Sequence, residues 1–183
     1  MTFLEAQRSS NQALARIDSL IFIDAPAYPQ KLPFFISVLR NPITRFFADL
    51  MSAKQRVRFI LNRIVFDKSK ITTAMIDRYA DGLKDPNSSY ALAQVARQVM
   101  PKNADEIVAR IPQIAVPTLI IWGKNDPVIP LENGERLHRE IQKSSWLAMD
   151  RCGHVPQEEY PRESAVAING FLASLKSRGA DQR

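Results

Sequence analysis

Glycine is scarce in this chain. Its 183 residues contain six, at 82, 123, 134, 153, 170 and 179, and none precedes Gly82. Any motif that relies on glycine to turn the backbone sharply is thereby excluded from the first 81 positions. Cysteine is scarcer still. Cys152 stands alone, which excludes an internal disulfide framework and a cysteine metal cluster. Histidine occurs twice, at 138 and 154, so an imidazole base has two possible homes. No apolar run approaches the roughly 20 residues a membrane-spanning helix needs. The most apolar stretches, such as 19–23, are strand-sized. Met1–Ser10 lacks the basic start and long apolar run of a secretory signal, so a cytoplasmic location is expected.

Charge is present but unevenly spread. The formal net charge is +6. Between Lys31 and Lys70 nine Lys and Arg face only Asp49 and Asp67, whereas the rest of the chain is nearly balanced. Phe, Ile and Val are interleaved with these cations. Such a segment can rest on an anionic membrane or admit acidic, apolar substrates. The expected arrangement is blander: helices with one apolar face packed and a solvated basic face. Nucleic-acid binding has no motif behind it.

The apolar pattern changes period along the chain. Thr2–Ala15 reads as a helix and Ile17–Asp24 as a strand. The continuous apolar character of 17–24 predicts a strand covered on both faces, as in a parallel sheet. From Lys31 to Arg110 apolar residues recur at helical spacing. Helices are expected over Thr72–Leu83 and Ser88–Met100, with Asn103 and Glu106 forming a capping box before a shorter one. Thr118–Trp122 is a second strand and Ser145–Met149 a third. Between them Leu131–Gln142 is a helix, with Gly134, Leu137 and Ile141 on its buried face and Glu135–Arg139 as an outer ion pair. Pro161 opens a last helix with Ala165, Ile168, Leu172 and Leu175 as its buried stripe. The order describes an α/β chain with about three parallel strands, a helical insertion over 31–110, and core segments at 1–30 and 111–183.

Three strand-to-loop turns carry ionisable groups: Asp24, Asp126 and His154. In parallel α/β sheets the turns at the strands' carboxyl ends hold the reactive residues. A carboxylate that grips one imidazole nitrogen keeps the other free to accept a proton, the acid–base half of a catalytic triad. Gly123 and Gly153 are expected to permit the sharp turns beside Asp126 and His154. His138, within a helix, reads as solvated, and Cys152 as a small buried hydrophobe.

The run Val-Pro-Thr-Leu-Ile-Ile-Trp-Gly-Lys-Asn-Asp-Pro-Val-Ile-Pro (116–130) resembles the acid segment of the α/β-hydrolase superfamily, and Cys-Gly-His-Val-Pro-Gln-Glu-Glu-Tyr-Pro (152–161) resembles its histidine loop. The resemblance implies Asp126 as the acid and His154 as the base. Asp24 is the runner-up acid, since some members carry theirs on that strand. The resemblance also implies that 31–110 is a cap, and that neither cofactor nor metal is needed.

The departure from the family pattern is large. Its nucleophile sits in a Gly-x-Ser-x-Gly elbow before the strand at 17–24, where this chain has no glycine. Ser9 and Ser10 lie in Gln-Arg-Ser-Ser-Asn, with bulky neighbours. The expectation is a hydrolase-family chain that begins after its own nucleophile and is inactive alone. The complete enzyme would hydrolyse a small ester-like molecule. The alternative is a non-catalytic binding module, or one half of a split enzyme, acting through the cap and an open sheet edge. That edge predicts self-association or a partner chain.

Overall fold

The computed structural model describes residues 17–85, 87–99 and 101–180. The expected helix at 2–15 and both Ser9 and Ser10 lie outside them. Three parallel strands form one sheet in the order β1 (Leu20–Ile23), β2 (Thr118–Gly123), β3 (Ser144–Met149). Between β1 and β2 run α1 (Phe34–Arg40), α2 (Pro42–Asp49), α3 (Ala53–Ile64), α4 (Thr73–Asp81), α5 (Ser88–Gln98) and α6 (Ala104–Ala109). Then α7 (Leu131–Glu140) joins β2 to β3, and α8 (Pro156–Glu159) and α9 (Pro161–Ala180) follow β3. Strand, helical block, strand, helix, strand, helix is the order read from the sequence.

The central strand explains its own composition. Every residue of β2 is buried. Ile120 and Trp122 face Leu137 of α7 and Ile141 just after it, whereas Leu119 and Ile121 meet Ala167, Ile168 and Phe171 of α9. With a helix on each face neither side needs polar residues, so the run is continuous rather than alternating. Ile120, Ile121 and Trp122 are 0% exposed, and burying such side chains stabilises by about 1.5–3 kcal/mol each. Gly134 lets α7 lie directly on Trp122, because a methyl group there would come within 2.5 Å of the indole.

Several local expectations are corrected. β1 is not covered on both faces: Ile21 is 36% exposed, because α7 and α9 centre on β2 and β1 pairs with no second strand among the described residues. Asn103 makes no side-chain cap hydrogen bond. The capping box is instead at the start of α3, where Ser52 and Gln55 satisfy each other's backbone N–H. The i,i+4 ion pair of α7 is Arg136–Glu140 at 2.7 Å, with Glu140 also accepting from the Tyr28 hydroxyl. His138 is not free in solvent. Its ring stacks on Trp146 and Nδ1 lies 2.7 Å from the Ser144 hydroxyl, since the α7–β3 turn folds β3 back beside it. On α9 the inward face is Ser164, Ala167, Ile168 and Phe171, while Ala165 and Leu172 are exposed. The Ser164 hydroxyl bonds to the Pro156 carbonyl, which turns the helix to that face.

The helical block has a core of its own. Val57, Leu61, Ile64 and Val65 from α3 and its end pack on Met75, Ile76 and Ala80 of α4. Val155, next to His154, joins this cluster. The loop after β3 is therefore held between the sheet and the block. α2 behaves differently: none of its residues is buried.

Candidate active site

Asp126 and His154 are brought together. Asp126 sits in the turn after β2, and its Oδ1 accepts the backbone N–H of Val128 at 2.6 Å and of Ile129 at 3.1 Å. Its Oδ2 faces Nδ1 of His154 at 2.8 Å. A carboxylate only accepts hydrogen bonds, so the pairing holds the ring proton on Nδ1 and leaves the Nε2 lone pair available. The Asp126 side chain is fully buried, whereas that of His154 is 25% exposed. A hidden orienter and an accessible base suit proton transfer to a bound group.

His154 lines a cavity of about 260 Å³ between the block and the sheet. Tyr28, Gln30, Phe35, Ile64 and Val128 contribute to its wall. Among the described lining residues there is no serine, threonine or cysteine, and the Tyr28 hydroxyl is committed to Glu140. Cys152 is close in sequence but wholly buried, and burial pushes its thiol up to about 12. That is the opposite of an activated nucleophile.

Asp24 lies in the same cluster without taking the orienting role. One ligand atom each of Asp24, Asp126 and His154 falls within a 4.8 Å set. The hydrogen bond from the imidazole goes to Asp126, while Asp24 Oδ1 accepts the Gly123 N–H at 2.9 Å. Asp24 Oδ2 is buried with no hydrogen-bond partner. Burial pushes this carboxyl up to about 8. The Gly123 N–H pulls it down, and the charges of Asp126 and Glu159 raise it further. A neutral acid at this position is a poor partner for an imidazolium.

The two glycines act through space rather than through turn geometry. No glycine has a positive φ among the described residues; the left-handed positions are Asp24 at 41° and Arg151 at 52°. A methyl group on Gly123 would collide with the carbonyl oxygens of Gly153 and Cys152, and one on Gly153 with the Ile64 carbonyl. The β2 exit, the histidine loop and the end of α3 thus meet backbone to backbone.

Glu159 closes this junction, and nothing in the local sequence pointed to it. Its carboxylate is buried, and Oε1 accepts the Gly153 N–H at 2.7 Å. Oε2 accepts the N–H groups of Phe66 at 3.0 Å and Asp67 at 3.2 Å. The His154 N–H donates to the Ile64 carbonyl at 2.9 Å. One carboxylate therefore ties the residue before the imidazole to the end of α3. Its partners Phe66 and Asp67 lie 93 and 92 residues away in sequence, so the local sequence carries no sign of its burial.

With this geometry in hand, comparison with known proteins decides the family. The model of the alpha/beta hydrolase family matches residues 6–167. The chain belongs to the alpha/beta hydrolase family. The uncharacterized hydrolase YugF of Bacillus subtilis is 30% identical over 120 residues, 66% of this chain and 43% of that protein. A 2-hydroxy-6-oxononadienedioate/2-hydroxy-6-oxononatrienedioate hydrolase of Paraburkholderia xenovorans is 30% identical over 117 residues, 62% of this chain and 39% of that protein. The chain thus spans about two fifths of the length of these curated relatives. Among solved structures, a meta-cleavage product hydrolase (CumD) aligns with a TM-score of 0.71 at 18% identity, over 94% of this chain and 60% of that one. A thermophilic esterase from Thermogutta terrifontis aligns at 0.63 and 24% identity, over 95% and 61%. These likenesses establish the alpha/beta hydrolase fold.

Proposed function

We propose that this chain carries the acid–base half of a hydrolase site that cleaves a small ester-like substrate by Ser-His-Asp chemistry. In this reading Asp126 orients, His154 is the general base, and nucleophile and oxyanion hole come from residues outside these 183. The observation that carries it is the Asp126–His154 hydrogen bond of 2.8 Å beside a cavity whose described lining residues offer no nucleophile. The edge of β1 that pairs with no strand among the described residues is the natural place for the rest of such a sheet to join. His154 would take the proton from the attacking hydroxyl and return it to the leaving group, and Asp126 would stabilise the imidazolium between the two steps.

The isolated 183-residue chain is expected to hydrolyse p-nitrophenyl acetate no faster than its His154→Ala variant. An in-frame Gly-x-Ser-x-Gly motif is expected in the coding sequence upstream of Met1. The protein extended to include it should turn over p-nitrophenyl esters and label with a fluorophosphonate. His154→Ala in that protein should lower kcat by roughly 10⁴–10⁶, and Asp126→Asn by roughly 10⁴. Turnover by the isolated chain that disappears in His154→Ala would overturn the reading. So would an upstream reading frame without the motif, which would favour a non-catalytic module.

A further inference from the structure

Helix α2 has the pattern of a packed helix and the exposure of an unpacked one. Ile43, Phe46, Phe47 and Leu50 recur at i, i+3, i+4 and i+7, which puts them on one face. They are 67%, 62%, 63% and 70% exposed. The helix is nonetheless well made. Asn41 caps it by accepting the N–H of Ile43 at 2.9 Å, and Pro42 opens its first turn. Asp49 fixes its end, pairing with Arg56 of α3 at 2.6 Å and accepting from the Ser89 hydroxyl of α5 at 2.8 Å. The packed apolar face expected from the sequence is present on α3 and α4 but not here. On its other side α2 contributes Ala48 to the wall of an apolar cavity of about 490 Å³, which Met51 just beyond it also lines.

We infer that α2 is an interfacial helix that docks the protein onto an anionic lipid surface. The charge around it decides the occupant. Segment 31–70 holds nine Lys and Arg against two Asp. Lys54 and Arg56 pair with Asp77 and Asp49, and Lys68 and Lys70 donate to the Val65 and Glu159 carbonyls, so among the described residues the cations without an ion pair nearest α2 are Arg45 within it and Arg40 just before it. A second copy placed here would bring Arg40 and Arg45 toward their own counterparts, whereas anionic headgroups complement them while the four apolar side chains enter the acyl boundary. No helix among the described residues is long and apolar enough to cross a membrane, so the contact is peripheral.

Vesicle flotation tests this, with phosphatidylcholine vesicles carrying about 30% phosphatidylglycerol compared with phosphatidylcholine alone at about 0.1 M salt. The protein is expected to float with the anionic vesicles at least tenfold more than with the neutral ones, and to be released at high salt. Phe46→Asp with Phe47→Asp should lower flotation at least tenfold, and so should Ile43→Asp with Leu50→Asp. All four side chains are exposed, so tryptophan fluorescence should show both variants folded. Equal flotation on neutral vesicles, or wild-type flotation by both folded variants, would overturn the inference. So would sedimentation showing that these variants dissolve a dimer while vesicle binding is unchanged, which would assign the face to a second copy.

Discussion

Replacing Glu159 by alanine removes the acceptor of three buried backbone N–H groups, those of Gly153, Phe66 and Asp67. Glu159 is 3% exposed, so water does not readily take its place. Hydrogen bonds to a charged acceptor contribute about 1.5–3 kcal/mol each, and an abandoned buried donor costs about 1–3 kcal/mol. The three share one acceptor and are not additive, so the expected loss is about 3–5 kcal/mol. That is a large part of the roughly 5–15 kcal/mol that holds a domain together. Glu159→Gln keeps one oxygen but turns an NH₂ toward a donor, and is expected to lose about half as much. Urea unfolding followed by the fluorescence of Trp122 and Trp146 at one fixed protein concentration measures both variants. Hydrogen exchange at Gly153 and His154 supplies a local readout, with both amides expected to exchange faster in Glu159→Gln even where the fold persists. An alanine variant within about 0.5 kcal/mol of wild type, the range of an ordinary surface change, would refute the claim that this carboxylate holds the histidine loop to α3.

Two further outcomes follow from the same junction. Asp24, pushed up to about 8, binds its proton more tightly folded than unfolded. It therefore makes stability fall as pH rises between about 4 and 8, with a slope of at most about 1.4 kcal/mol per pH unit. Asp24→Asn tolerates the left-handed backbone at 24 and should flatten that slope, matching wild type only below about pH 4 and exceeding it increasingly up to about pH 8 in urea midpoints. A wild-type slope retained in the variant would show that another group titrates. Gly123→Ala should be destabilising beyond the usual overpacking cost of about 1–3 kcal/mol, because its methyl group meets main-chain carbonyls that cannot rotate away. Gly170→Ala, with nothing within 4 Å of its added carbon, should stabilise α9 by about 0.5–1 kcal/mol. Equal thermal midpoints for the two glycine variants would contradict this contrast.

Much of the candidate site is legible in the sequence because its signals are local. β2 and β3 are each followed by a loop that carries Asp126 or His154, so a strand-sized apolar run followed by Asp or His marked them as candidates, while their roles as acid and base came from the family resemblance. The sequence by itself also determined the α/β order, since the shift from continuous strand-sized runs to helical spacing survives in any environment. Tertiary structure alone decided which carboxylate faces the imidazole. Asp24 and Asp126 both end strands, and only the register of β1 against β2 delivers Asp24 to the Gly123 N–H. It decided that Glu159 is buried, because its backbone partners Phe66 and Asp67 arrive from the far end of the helical block. It decided that the apolar face of α2 stays in solvent, because periodicity marks a face without saying whether anything packs on it. The glycines at 123 and 153 belong to the same class. Their reason is the close approach of three backbones, a distance between segments that no single segment encodes.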